Sequence, residues 1–250
     1  MIRCPSCDDA GVGEDFICTA CGWKADVIDD TPCLAPELAV ENTGFDDAIF
    51  DAFVAAKDTH FMLWYRNRLI IEAIQKHFPK FERMLEAGAG SGMVLSALLD
   101  AFPACRIDAS EIFLSGIAML RRVVGDRPGC LFQMDGTRMP FADHYDIIGM
   151  FDVIEHIDDD ALVIDNVFNA LKPGGGFILT VPQHPSLWSA ADDAVSHKRR
   201  YRPGELAARL RDGGFEIVRD TSYNLFLVPA MMLSRALQRG EYDPKREWKL

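Results

Sequence analysis

The amino-acid sequence predicts an α/β fold: a doubly wound, mostly parallel sheet with helices on both faces, preceded by a small cysteine-rich ribbon. Two observations carry this expectation. From residue 58 onward short apolar runs alternate with helical stretches, the order that lays a parallel sheet between two layers of helices. Ahead of that run, four cysteines stand in two close pairs within a segment too short to build a core of its own.

The ribbon comes first. Cys4-Pro5-Ser6-Cys7 is followed after ten residues by Cys18-Thr19-Ala20-Cys21-Gly22. Two such pairs suit a tetrahedral Zn²⁺ held by Cys4, Cys7, Cys18 and Cys21, each pair clamping one edge of the tetrahedron from a tight turn. Four thiolates leave no open position for water, so the metal is structural. Disulfides are the competing explanation, disfavoured because no export signal precedes the cysteines. Gly22 allows a turn in which backbone amides point at sulfur. Cys33, Cys105 and Cys130 stand in unrelated contexts and are expected to be buried thiols. Residues 24–57 read as an acidic connector broken by Pro32 and Pro36, with a short helix over 46–57. The expected division is 1–45 for ribbon and linker and 46–250 for the α/β domain.

In the α/β part a helix is expected over 58–77, with Phe61, Trp64, Leu69 and Ile70. Strands are expected at Arg83–Ala87, Arg106–Ser110, Leu131–Met134, Asp146–Met150 and Phe177–Val181, and helices over 93–102, 112–124 and 160–171. Pro203 opens another helix that Gly213-Gly214 stops, and a strand Phe215–Arg219 follows.

The 250 residues carry a net charge of −12, which disfavours attachment to nucleic acid or anionic lipid by bulk charge. Residues 1–44 are net −7 and residues 197–250 net +5, so an anionic partner would meet only the last fifth. The apolar stretch Leu225–Leu233 is about half the length a membrane span needs and contains Pro229. A soluble, cytoplasmic protein is expected.

The first strand runs into Leu85-Glu86-Ala87-Gly88-Ala89-Gly90-Ser91-Gly92. Its glycines let the chain turn sharply and a ligand lie against the main chain. The spacing is one residue shorter than the dinucleotide fingerprint. Glu86 would repel a pyrophosphate and welcome an ammonium or sulfonium. Glu111, at the end of the second strand, can accept both hydroxyls of a ribose; Asp108 is its rival.

With these residues in view, the chain from about 58 to 220 resembles a class I S-adenosylmethionine-dependent methyltransferase. The resemblance rests on the glycine loop with Glu86; Glu111; Met134-Asp135-Gly136 with Met139-Pro140-Phe141; Phe151-Asp152-Val153-Ile154-Glu155-His156; and Leu171-Lys172-Pro173-Gly174-Gly175. It implies a Rossmann-like fold and S-adenosylmethionine as cofactor. The methionine end would lie beside Glu86, Gly88, Ala89, Gly90 and Gly92, the ribose at Glu111 and Ile112, and the adenine at Asp135 and Gly136, with Phe151 beside the crevice. Arg66, in a helix similar to one that precedes the loop in part of the family, is a candidate for the cofactor carboxylate. That branch often has two aromatics where Met62 and Leu63 stand here. The family's closing antiparallel strand has no legible counterpart after the apolar segment Tyr223–Leu237.

Methyl transfer from sulfonium is an in-line displacement, so the protein must mainly position the acceptor. A hydroxyl acceptor also needs a base, for which His156 is the first candidate, the alternative being support of its loop. Loop 182–200 is where substrate contacts are expected, with His197 and Arg199 or Arg200 lining the pocket or else pinning the loop. In ubiquinone-biosynthesis relatives acids of the preceding loop are implicated in cation binding. Here Asp152, Glu155 and Asp158–Asp160 offer oxygen ligands of the kind Mg²⁺ takes, but Asp158–Asp160 read better as acids at a helix start.

The favoured function is transfer of a methyl group to a hydroxyl or amine of a small molecule (a sugar, a nucleotide-linked intermediate or another metabolite), one that can be anionic. The alternatives are an rRNA or tRNA methyltransferase and a non-catalytic cofactor-binding regulator. An RNA-binding ribbon would be basic and aromatic, unlike residues 1–44. Oligomeric state is not legible.

Overall fold

A computed structural model describes residues 1–9, 11–39, 61–127 and 129–237. Seven strands form one sheet in the order β1-β2-β5-β4-β3-β6-β7. They are β1 Asp26–Ile28, β2 Thr31–Cys33, β3 Arg83–Ala87, β4 Arg106–Glu111, β5 Leu131–Gln133, β6 Tyr145–Phe151 and β7 Leu171–Thr180. Only β1 runs antiparallel to its neighbour. The helices are α1 Phe61–His77, α2 Met93–Ala101, α3 Leu114–Val124, α4 Asp160–Ala170, α5 Ala190–Ala194, α6 Glu205–Asp212 and α7 Val228–Leu237.

The sheet is doubly wound because alternate residues of each central strand feed two cores. On one face Met84, Ile107, Ala109 and Ile147 meet α1, α2 and α3 through Ile70, Ile74, Leu95, Leu98, Ile117 and Leu120. In α1 the buried residues Leu63, Arg66, Ile70 and Ile74 recur at helical spacing, with Arg66 the one charge among them. On the other face Leu85, Phe132, Ile148 and Met150 meet Val163, Ile164 and Val167 of α4, Leu210 of α6, and the ribbon.

Three expectations change. The acidic connector is not plain linker in its first part: residues 26–33 form the β1–β2 hairpin, whose β2 extends the sheet beside β5 at Cys33↔Gln133. The helix over 46–57, and residues 58–60 of the next, lie outside the described residues. Phe215–Arg219 forms no strand, although Phe215 and Ile217 face inward in strand-like alternation. Phe215 instead packs its ring against Phe168 and Phe177, so the segment is held by side chains without a ladder. In β7 the Gly-rich Lys172–Gly175 run joins the strand through an irregular pairing between Tyr145 and Ile147. At Gly176 a Cβ would stand 2.0 Å from the Phe78 ring, so a larger residue there must displace that ring. Cys33 is buried as expected, whereas Cys105 and Cys130 are half-buried.

The ribbon lies over the first residues of four strands. Arg3 N–H donates to the Pro140 carbonyl at 2.7 Å, and the Phe16 ring sits 5.4 Å from Phe132. Beneath it Asp108 of β4, fully buried, accepts from Arg83 and Arg106 at 2.9 Å each and from Cys130 N–H at 2.8 Å. Glu14 of the ribbon closes the cluster on both arginines, at 2.8 and 2.7 Å. The ribbon is thus docked by apolar contact and by one shared charge network.

Asp108→Asn keeps the shape but leaves Glu14 as the remaining carboxylate on two arginines. A loss of about 2 kcal/mol is expected, below the value for a wholly buried pair because the arginines are partly solvated. Urea unfolding checks it, and an unchanged midpoint would show that the network does not hold the ribbon.

Candidate active site

The crevice forms at the carboxyl ends of β3, β4, β5 and β6. After β3 the chain turns through Gly88, Gly90 and Gly92, at φ +73°, +55° and +77°. A Cβ at Gly88 would fall 2.7 Å from Val153 Cγ2, so left-handed backbone and close approach both demand glycine. The neighbouring strand holds the turn: the N–H groups of Gly88 and Ala89 both donate to the Ser110 carbonyl at 2.9 Å. Glu111 completes the clamp, its Oε2 accepting from Gly90 N–H at 2.9 Å and its Oε1 from Ile112 N–H at 2.8 Å. Burial raises the Glu111 carboxyl while the amides of Gly90, Ile112 and Phe113 draw it back. Asp108, the rival of Glu111, points to the ribbon face and belongs to the charge network.

Beside the loop stand two buried polar atoms without hydrogen-bond partners, Glu86 Oε2 and Arg66 Nε. Burial pushes the Glu86 carboxyl up to about 8; the Arg66 charge opposes this and Glu111 adds to it. Arg66 Nη1 pairs with Asp152 Oδ2, so the guanidinium predicted to meet a ligand is anchored at one end and open at the other. Asp152 itself sits at φ +57° and accepts from Thr180 Oγ1 at 3.1 Å.

On the far side Asp135 accepts from Thr137 N–H at 2.9 Å and Thr137 Oγ1 at 2.7 Å, opening a short 3₁₀ turn over Gly136–Arg138. Gly136 follows directly, with room around it for a Cβ. Ala89 and Phe151 are core residues of the α1–α3 face, Phe151 closing β6.

The region after β6 is crowded with ionisable groups. Ligand-capable atoms of Glu155, His156 and His197 lie within 4.8 Å of one another. Glu155 is wholly buried with neither carboxyl oxygen partnered, and burial, then the Asp152 charge, holds it well above the usual range. Burial, and next the His197 charge, lowers His156 to about 4. His197 differs: its Nδ1 lies 2.9 Å from Asp192 Oδ1 and its Nε2 3.8 Å from Glu155 Oε1. Against its own burial, bonds from His197 and Arg200 hold the Asp192 carboxylate far below its ordinary value.

Arg199 does not reach this pocket. It pairs with Asp160 and the Asp158 carbonyl and so pins the loop to α4, while Asp159 caps that helix by accepting from Leu162 N–H at 3.0 Å. An open cleft of about 1340 Å³ along the outer edge of β7 reaches the crevice at Arg66, Thr180, Arg200 and Tyr223. Asp192 went unread as a site residue, and Asp152 was read only as a candidate cation ligand, not as the partner of Arg66. The signal for Asp192 was local, a Ser189-x-x-Asp192 capping box five residues before a histidine.

Residues 61–220 match a family described as a methyltransferase domain. A probable S-adenosylmethionine-dependent methyltransferase of Mycolicibacterium smegmatis is 27% identical over 158 residues, 62% of this chain and 60% of its own. A malonyl-[acyl-carrier protein] O-methyltransferase of Chlorobium luteolum is 26% identical over 136 residues, 52% of each. This chain therefore spans between about half and three fifths of those relatives' length. Among solved structures, phosphoethanolamine N-methyltransferase 2 of Haemonchus contortus, in complex with S-adenosyl-L-methionine, shares the fold with TM-score 0.62. The identity is 18%, over 78% of this chain and 47% of that one.

Glu86 makes stability depend on pH. With its folded pKa near 8 against an ordinary 4.5, the folded state keeps a proton that the unfolded chain loses. Its contribution is whole below pH 4.5 and falls as pH rises toward 8. In the ligand-free protein Glu86→Gln is expected to flatten that decline and raise Tm at pH 8. Parallel Tm-against-pH curves for the two proteins would refute the assignment.

Proposed function

The chain belongs to the methyltransferase domain family, and from that premise we propose that it moves a methyl group from S-adenosylmethionine to a hydroxyl or amine of a small molecule. One observation carries the reading: Glu86 Oε2 and Arg66 Nε, a buried acceptor and a buried donor, both lack partners beside a loop with glycine at every second position. An amino-acid zwitterion complements them, its ammonium meeting Glu86 and its carboxylate the open end of Arg66. A ligand ammonium would favour ionised Glu86, which explains a carboxyl left unpaired until the ligand arrives. Glu111 keeps lone pairs for ribose hydroxyls beyond the amides it accepts, and Asp135 is placed for the adenine amino group. A diphosphate would hold Glu86 protonated and give it no cation to pair with.

The cofactor supplies a methyl on a sulfonium, a good leaving group that needs no metal or acid. The chain's part is to orient and to move one proton. Gly88–Gly92 admit the ligand against the backbone, and the Arg66–Asp152 pair fixes the methionine end. His197 is the proton acceptor for a hydroxyl: Asp192 takes its Nδ1 side, directing Nε2 into the pocket with Glu155. His156 packs against His197 with ring centroids 4.7 Å apart and supports it. The acceptor approaches along the β7 cleft past Arg66 and Arg200, which suits one bearing negative charge.

The four N-terminal sulfurs suit structural Zn²⁺. Cys4 and Cys21 lie 3.6 Å apart and Cys7 and Cys18 3.8 Å, distances between thiols that one tetrahedral ion can gather. Cys18 is lowered to about 7, first by the Cys21 N–H aimed at its sulfur. An RNA-reading ribbon would need exposed rings, whereas Phe16 is buried against Phe132.

Calorimetry tests the reading. S-adenosylhomocysteine should bind and NAD should not. Arg66→Ala should weaken S-adenosylhomocysteine about tenfold, the loss of a charge-assisted bond, and leave 5′-methylthioadenosine, which has no amino-acid end, unchanged. Equal losses for both ligands would remove Arg66 from the site. With a working acceptor, His197→Ala should lower kcat by about 10² to 10⁴ at unchanged S-adenosylhomocysteine affinity; a full-speed variant rules out the base.

A further inference from the structure

Gln133, the last residue of β5, is wholly buried, and its side chain stands in for backbone. Its Oε1 accepts from Ala35 N–H at 3.0 Å. Its Nε2 donates to the Ala35 carbonyl at 2.9 Å and to the Ile112 carbonyl at 3.1 Å. The β2–β5 ladder has one residue pair, Cys33 with Gln133, and the Leu34 N–H adds a bond to the Gln133 carbonyl at 2.9 Å. The side-chain amide therefore makes a further rung and ties it across to the end of β4.

Other bonds follow the same path. Leu114 N–H, at the start of α3, donates to the Ala39 carbonyl at 3.3 Å. Glu37 pairs with Arg138, whose Nε lies 3.5 Å from Asp135. Residues 31–39 thus touch Ile112, Leu114 and, through Arg138, Asp135. That is the rim assigned above to the adenosine end of the cofactor. The ribbon reaches the same strand from below, where Phe16 packs on Phe132, the residue before Gln133.

We infer that Gln133 is a positioning residue that joins the four-cysteine ribbon to cofactor affinity, residues 31–39 serving as the brace of the adenosine rim. Without the amide, the N–H and C=O of Ala35 and the C=O of Ile112 lose partners where water does not reach, and the segment must shift to find them. The rim then loses its back support while the glycine loop and Arg66 keep theirs. Coupling of this kind is reciprocal: if the ribbon steadies the rim, a ligand on the rim steadies the ribbon.

The inference rests on the cofactor reading, and the test separates the two. Calorimetry on the folded full chain, wild type and Gln133→Met, is run with S-adenosylhomocysteine and 5′-methylthioadenosine. Both ligands should weaken by the same factor, about tenfold, because they share the adenosine. A folded variant with unchanged Kd values overturns the inference and leaves the reading standing. No heat from S-adenosylhomocysteine with wild type takes down the reading and the inference together. Should Gln133→Met not fold, wild type alone decides: saturating S-adenosylhomocysteine should slow release of zinc to 4-(2-pyridylazo)resorcinol severalfold. A release rate indifferent to the ligand overturns the link.

Discussion

The site depends on how the end of β4 holds the turn after β3. The Ser110 carbonyl takes two successive amides of that turn, and the Glu111 carboxylate takes a third from Gly90. Three glycines at positive φ have little conformational preference of their own, so an unclamped loop would sample many shapes. Three hydrogen bonds to the end of β4 select one. The same clamp keeps Glu111 facing the crevice, and its strand neighbours on the opposite face are left to pack.

Buried polarity in this protein falls into two kinds, and the difference marks function. Asp108, Asp160 and Asp192 are buried and fully engaged by arginines, tyrosines or histidine. Each ties elements together: ribbon to sheet, loop 182–200 to α4, His197 to α5. Glu86 and Arg66 Nε are equally buried but lack partners. A group left so costs free energy unless something else comes to satisfy it. Of the second kind, these two stand beside the glycine turn and the Glu155 oxygens beside His156 and His197, while ring nitrogens of His77, His144 and His184 are left so elsewhere.

The ribbon is part of the sheet's architecture. Its aromatic and aliphatic residues enter the same core as β5 and β6, Glu14 completes the Asp108 network, and the chain leaving it becomes β2 and then the brace along β5. The amino-terminal half of one sheet face, which a helix would otherwise have to cover, is covered by a lobe too small to fold on its own apolar contacts. In that arrangement whatever gathers the four thiols also supports the sheet.

Period and composition alone determined the parallel α/β core, because strand and helix burial repeat with periods visible in one dimension: α1, α2, α4 and the strands β3 to β6 stand within a residue or so of where alternation puts them, α1's first residues apart. The same holds for the cysteine spacing and the glycine turn, whose geometry is local. What one dimension hides is partnership across it. The β1–β2 hairpin looked like connector because its residues are acidic and broken by proline, and only pairing with each other and with β5 makes them strand. Phe215–Arg219 had the alternation of a strand yet found rings where a ladder was expected. Asp108 and Glu111 are three residues apart and looked like rivals; opposite faces of one strand send the first to a salt network and the second to the loop. Gln133 and the unpaired Glu86 Oε2 and Arg66 Nε acquire meaning only from neighbours tens of residues distant, since a hydrogen bond, or the lack of one, is decided by distance in space.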